Sequence, residues 1–508
     1  MKHKKLVSSL LALSLPMGAV LAGCGSDDSS NASNTSSPAA SAGATAAATV
    51  NPADLKPVEL SFYYSGGSEQ KDQAAVEAKL NELLKPKINA TIKLYPVDYG
   101  SWAQKINLMV AGNEPFDLIF TAASDGFSAK AAAGNFLELN SLLDKYGQDI
   151  KKSIDPVMLQ GSQINGKYFA VPVQKEIAAH QGVVLHKGMV DKYGFDISKI
   201  KTLKDLEPML QTIKEKEPAT VVPFWGTGNI PVFAPFEYIG NRNVPGAIAI
   251  GKDTTVFNQW DTPEIREIYE LMRSWNQKGF FQKDPTTQTD ASAYVKAGTL
   301  FAQWQSLKPG KDKEMSASRN YEFVQVDITT PYVAATGPAG AMTSISRTSK
   351  NPERAMMLLN LLHSDKEILN TLVMGIEGTH YTKVSDNVVK KTDQAANYAP
   401  GINWKIGNQF LNYLYDNEDP QKWEKFQAYN KSAQVSPLLG FTYDATNVKN
   451  EESAIVNIYK EYNDGLGTGV LDPAKALPEY IEKLKKAGMD KVIAEKQKQV
   501  DEFLKNKK

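Results

Sequence analysis

The chain has 508 residues, enough for two or more lobes with sizeable cores. Its 57 basic and 57 acidic side chains cancel (57 − 57 = 0), and removal of a leader carrying Lys2, Lys4 and Lys5 would leave about −3, without the strong basic excess of a nucleic-acid binder. One cysteine excludes a disulfide framework, and the five histidines, His3, His180, His186, His363 and His380, form no ligand-like cluster for zinc or manganese, so no metal and no cofactor is expected.

The chain opens on those three lysines and an apolar run from Leu6 to Ala22. Ser8, Ser9, Ser14 and Pro16 interrupt the run, which is short for a membrane span of roughly 20 apolar residues and has the form of an export signal. It ends in Leu21-Ala22-Gly23-Cys24, which resembles the lipobox of bacterial lipoproteins. That resemblance implies a signal peptide over 1–23, cleavage before Cys24, and a diacylglycerol (palmitate-type) anchor on its sulfur, placing the protein on the extracytoplasmic face of the cell membrane. Residues 25–50 are mostly Ser, Ala, Thr, Asn and Gly with no Lys, Arg or aromatic side chain. Such a composition cannot bury enough to fold, so 24–56 reads as a tether.

The folded body starts at Val58 to Tyr64, a strand by its bulky residues, which breaks at Ser65-Gly66-Gly67. A helix follows, with Ser68 as cap, Glu69 at its positive end, and Val76, Leu80, Leu83 and Leu84 on one face until Pro86. Ile88, Ala90, Ile92 and Leu94 alternate as a second strand, completing a βαβ unit whose strand ends face a crevice. The pattern repeats: Trp102, Ile106, Met109 and Val110 mark a helix, Phe116 to Phe120 a strand, and Thr121 to Gly126 a small polar loop at its carboxyl end. That is where open α/β sheets bind ligands, although a solvated turn leading into the next helix would look the same. Residues 164–172 read as a strand pair with a tight turn, 183–185, 299–304 and 323–326 as strands, and 262–277 as a helix. Pro352 stands at the first position of another helix, and Ser364 to Glu367 form a capping box. The last 40 or so residues are charged and helical, with Leu477, Tyr480, Ile481 and Leu484 on one stripe and Val492, Ile493, Val500 and Leu504 on another, as for helices packed outside a lobe.

Catalytic motifs are lacking. Gly161 to Lys167 matches seven positions of a phosphate-binding loop, but Tyr168 stands where Ser or Thr should hold magnesium, and a strand follows instead of a helix. No Gly-x-Ser-x-Gly elbow or His-Glu-x-x-His zinc motif occurs, so the protein is read as a non-enzyme. Six arginines against 51 lysines disfavour bidentate capture of an anion. Aromatics are plentiful, with 7 Trp, 21 Tyr and 19 Phe. Trp225, Trp304 and Trp404 each adjoin Gly, Pro or a strand end, where a flat ring can either face a cleft or pack in a core, whereas Trp102 and Trp275 lie on helix faces. A sugar presents an apolar C–H face and a rim of hydroxyls, which aromatic platforms with Asp, Asn, Gln and Ser would suit.

Several segments together resemble a known group: Asn107 to Gly112 running into Phe116 to Thr121, Asn165 to Pro172, Lys296 to Trp304, Asn351 to Ala355, Gly375 to Tyr381, and Glu461 to Leu466. Behind a lipobox, this order resembles the substrate-binding lipoproteins of bacterial ABC importers, the extracellular solute-binding family 1 that includes maltose-binding protein. The similarity is closest to the Gram-positive branch with a C-terminal domain of unknown function. The resemblance implies an α/β, two-lobed periplasmic-binding-protein-like type II fold with an interlobe cleft and extra C-terminal helices. Lobe 1 would span 57–173 and 330–385; lobe 2 would span 174–329 and 386–508, including the helical extension. It implies a monomer that captures a carbohydrate, in particular an oligosaccharide, by hinge closure and delivers it to the permease's transmembrane subunits. A peptide or amino-acid binder and a lipid-anchored glycan-processing enzyme are the competing readings. Position by position, Thr121, Ser124 and Asp125 match first-lobe sugar contacts and Trp304, after Gln303, falls near a second-lobe platform. Thr121 replaces an aromatic of maltose-binding protein, so a maltose preference does not transfer. Tyr64, Ser65, Gly66 and Glu69 join the candidates from the first strand end, and Trp225, Tyr238 and Trp404 from local context.

Overall fold

The computed structural model describes residues 51–164, 166–317 and 319–507; the expected signal peptide, Cys24 and the tether up to residue 50 lie outside them. The first strand, β1 (Val58–Ser65), turns Leu60, Phe62 and Tyr64 to one face, all fully buried. Helix Gln73–Ile88 brings Val76, Leu80, Leu84 and Ile88, four residues apart, into the same core. β2 (Ala90–Val97) runs parallel to β1, and after helix Trp102–Ala111 so does β3 (Leu118–Thr121). Two local expectations change here. The first helix starts after Asp72, not Ser68, and runs through Pro86, because a proline in the last turn forfeits only one ladder bond; Asn89, at φ 42°, ends it in the left-handed region.

β4 (Val171–Pro172) closes the first pass, and residues 173–179 lead into a second sheet of β5 (His180–His186), β6 (Val222–Phe224), β7 (Leu300–Leu307) and β8 (Phe323–Asp327). Its order is β8-β5-β7-β6, with β5 antiparallel to both neighbours and β7 parallel to β6. Mid-sheet, Gly182 is demanded by packing: a Cβ there would lie 2.3 Å from both Leu307 Cδ1 and the Val326 carbonyl oxygen. Phe224, Phe301, Phe280 and Trp275 fill the core beneath. Helix Pro263–Gln277, capped by the Thr262 hydroxyl, supplies Trp275, set edgewise on Phe224 with ring centroids 5.1 Å apart.

The chain returns through 328–341 to β9 (Met342–Ile345), which inserts antiparallel between β3 and β4, giving a first sheet ordered β2-β1-β3-β9-β4. Helices Pro352–Ser364 and Lys366–Met374 contribute Leu358, Leu359, Leu362, Leu369 and Leu372 to its core. The cap of the second of these is Asp365, which accepts from the amides of Glu367 and Ile368; Ser364 instead bonds back to the Asn360 carbonyl. The first core does not stop at 385. Val389, Tyr398, Ile402, Ile406 and Tyr413 are buried in it, so the stretch expected in lobe 2 from 386 packs with lobe 1 as far as Tyr413.

A further crossing follows, with helix Lys422–Ser432 and residues 433–436, where Tyr332 and Val333 pair in parallel with Gln434 and Val435. Asn430 ties it to the first crossing, accepting from the Ile177 amide at 2.9 Å and donating to the Lys175 carbonyl at 2.9 Å. Helices Lys449–Gly467, Pro473–Lys486 and Met489–Asn506 then pack Leu466, Leu477, Tyr480, Leu484 and Val492 around Trp260 and Tyr269 on the outside of lobe 2. Among the described residues no helix is long and apolar enough to cross a membrane.

Candidate functional site at the first-lobe strand ends

β1, β2 and β3 all point their carboxyl ends to one edge of the first sheet, and the side chain organising that edge is Lys405, more than 300 residues downstream. Its ammonium donates to the Ser65 carbonyl at 2.6 Å, the Ser65 hydroxyl at 2.8 Å and the Tyr99 hydroxyl at 3.2 Å. Three hydrogens meet three acceptors, and the residue is 1% exposed. Its charge also lies 4.2 Å from the Tyr99 ring centroid, 5.0 Å from that of Trp404 and 5.1 Å from that of Phe120. Burial lowers the Lys405 ammonium to about 8, against the opposing pull of the Asp125 carboxylate. A buried cation at the ends of parallel strands is costly as structure and characteristic of functional sites.

Two rings stand open beside it: Tyr99 is 59% exposed and Trp404 40% exposed. Lys175, of the first crossing, also approaches Trp404, with its nitrogen 5.9 Å from the ring centroid. The adjacent Glu176, 9% exposed, accepts from Lys308 at 2.9 Å just beyond β7, joining crossing segment to second lobe. Burial alone would raise the Glu176 carboxyl, but Lys175 and Lys308 outweigh it and hold it below the usual range. Burial likewise presses Lys308 down, and Glu176 with Glu314 more than restores it. Aromatic faces, a saturated cation and a buried ion pair thus line one edge where lobe 1 meets the crossing.

The residues singled out from sequence divide. Ser65, Asp125 and Trp404 belong to this cluster; Asp125 accepts from the Trp102 indole at 3.1 Å and faces the charge of Lys405. Thr121, at the end of β3, is 2% exposed, while Ser124 just after it and Glu69 just after β1 are exposed. Gly66 serves packing: a Cβ there would lie 2.8 Å from Ile402 Cγ2 and 3.2 Å from the Pro400 carbonyl oxygen, so glycine admits the strand end to the 400–402 loop. Tyr64 cannot offer a ligand face. It is fully buried, edgewise on Phe62 at 5.8 Å, because strand alternation sends it inward with Leu60, and burial raises its phenol.

In the second lobe, Trp225 is 5% exposed and packs against Tyr294 at 5.2 Å, a core position rather than a platform. Gln303 is 8% exposed; Trp304 is partly open and donates its indole hydrogen to Gln181 at 2.9 Å. Tyr238 lines a small separate pit with Arg242, Trp260 and Tyr459, bonded to the Pro231 carbonyl, its phenol pushed up by burial to about 12. Tyr99, Lys175, Glu176, Lys308 and Lys405 escaped the sequence reading. The adjacency of Trp404 and Lys405, and the position of Tyr99 just past a strand, were the available signals. Among the described residues no group of acidic, His or Cys side chains is placed to hold a metal.

Comparison with known proteins agrees with this architecture. Residues 66–367 match the family described as Bacterial extracellular solute-binding protein, and residues 437–505 match a domain of unknown function, DUF3502. A "Carbohydrate ABC transporter substrate-binding protein" of Streptococcus pneumoniae is 33% identical over 454 residues, covering 88% of this chain and 91% of the relative. The crystal structure of the N-glycan transport solute binding protein NgtS from Streptococcus pneumoniae matches with TM-score 0.81 at 32% identity, covering 89% of this chain and all of that one. The structure of NgtS in complex with Man5GlcNAc matches with TM-score 0.68 at 33% identity and the same coverage. The family match over more than half of the chain, the near full-length relative and the two-sheet architecture lead to one conclusion: this chain belongs to the bacterial extracellular solute-binding proteins.

Proposed function

We propose that this protein is the solute-capturing lipoprotein of an ABC importer, held to the membrane through Cys24, and that it takes an oligosaccharide between its lobes without altering it. The observation carrying this reading is the pair of open rings, Tyr99 and Trp404, held around a buried cation at the carboxyl ends of parallel strands. Such faces suit the C–H side of a sugar ring, while Asp125, Ser124 and Lys175 supply polar partners for its hydroxyls. The likeness to a carbohydrate transporter component and to NgtS, which is known in complex with Man5GlcNAc, supports a glycan as the guest.

Capture proceeds by closure of lobe 2 toward this edge, with the crossing segments as hinges. Ligand shifts the open–closed balance only by its preference for the closed form. The fall in TM-score from 0.81 to 0.68 between two structures of one relative, at equal coverage, fits a rearrangement of lobes in that protein. Calorimetry with Man5GlcNAc, other oligosaccharides and a peptide pool tests ligand class, and X-ray scattering with and without ligand tests closure. Binding of the peptides and none of the glycans refutes the carbohydrate reading. Identical scattering profiles at saturation refute closure, and glycans returned cleaved refute passive capture.

A further inference from the structure

Lys175 differs from its neighbours in what its hydrogens do. Lys405 spends all three on protein acceptors, and Lys308 is bound by Glu176 and Glu314. Lys175 makes one hydrogen bond, to the Glu176 carbonyl at 3.0 Å; the Glu176 carboxylate is 3.9 Å away, beyond hydrogen-bond reach. Its side chain is only 17% exposed, and two of its N–H groups have no protein acceptor beside the open Trp404 ring. Burial, together with the charge of Lys308, depresses its ammonium in spite of Glu176. A withdrawn cation with unused donors is unfavourable unless something else completes its coordination. Nearby, Glu176 Oε2 is buried without a hydrogen-bond partner, a second unsatisfied group on the same segment.

We propose that Lys175 is a specificity-determining residue of the binding site, donating its two unused N–H groups to adjacent hydroxyl oxygens of the sugar ring stacked on Trp404. The inference rests on the carbohydrate reading and adds a recognition element from the crossing segment, between the two lobes. Vicinal hydroxyl oxygens lie close enough together for one ammonium to serve both, so the ring selected carries neighbouring hydroxyls on the edge facing Lys175. Glu176, fixed by Lys308, holds the segment in register and acts as a positioning residue.

The test is calorimetry with Man5GlcNAc and a glycan panel on the wild type, Lys175→Met and Lys175→Arg, with melting temperatures recorded in parallel. The expected result is a loss of affinity of about tenfold or more for Lys175→Met, the scale of a charge-assisted hydrogen bond, at an unchanged melting temperature, with partial recovery in Lys175→Arg. Lys175→Met binding within twofold of wild type overturns the inference while leaving the carbohydrate reading intact. Affinity and melting temperature falling together in both variants also overturns it, assigning Lys175 to folding. A wild type that binds no glycan overturns the carbohydrate reading, and this inference with it.

Discussion

Replacing Lys405 by methionine should weaken ligand binding while scarcely changing stability at neutral pH. The substitution keeps an unbranched side chain of similar length but removes the donor to Ser65 and Tyr99. The Ser65 carbonyl left without its partner costs about 1–3 kcal/mol, and relief from burying an ammonium offsets an amount of similar size. A net change within about 1 kcal/mol at pH 7 is expected, together with loss of the contact that orients Tyr99. The pH dependence is sharper. Lys405 titrates near 10.5 when unfolded and about 8 when folded, so between these values the unfolded chain binds more protons and wild-type stability rises with pH relative to the variant. One proton gives at most about 1.4 kcal/mol per pH unit; allowing for screening through the open Tyr99 and Trp404 edge, a gain of about 1–2 kcal/mol across the window is expected. Urea unfolding followed by tryptophan fluorescence at pH 7.5, 8.5 and 9.5 on both proteins measures it. A wild-type minus variant difference that is flat, or that falls with pH, refutes the picture of a buried, depressed lysine.

Trp404→Ala should lower affinity for the bound glycan by about 1 kcal/mol, close to fivefold, in calorimetry, with no loss of melting temperature since the ring is 40% exposed. Gly66→Val should destabilise by about 1–3 kcal/mol in urea titrations, because its Cβ would meet Ile402 at 2.8 Å, and should weaken binding by displacing the loop that carries Trp404. His363, in the first core, is pushed down by burial to about 3 from 6.5, so the unfolded chain takes up the proton first and stability drains away as pH falls from about 6.5 toward 3. His363→Leu should move the acid-unfolding midpoint, read by circular dichroism, to lower pH; an unmoved midpoint would show that other groups govern acid unfolding.

What the sequence determined by itself was periodic. Alternation along Val58–Ser65, helical spacing from Val76 to Leu84 and the stripe from Leu477 to Leu484 each state which face is buried, because one element's geometry repeats within a few residues; Ile88, expected to open the second strand, instead closes the helix. The ordered segments from Asn107 to Leu466 carried the family. Strand-end position and local context mislabelled two candidates: the alternation that makes β1 a strand sends Tyr64 inward, and Trp225 beside a glycine meets Tyr294 instead of a cleft. Tertiary structure alone assembled the candidate cluster around Lys405. Lys405 reaches Ser65 across 340 positions, and Lys175 meets Trp404 from the first crossing of the chain. Whether a lysine is a solvated charge or a buried anchor depends on acceptors delivered by distant segments, and local spacing holds no record of them.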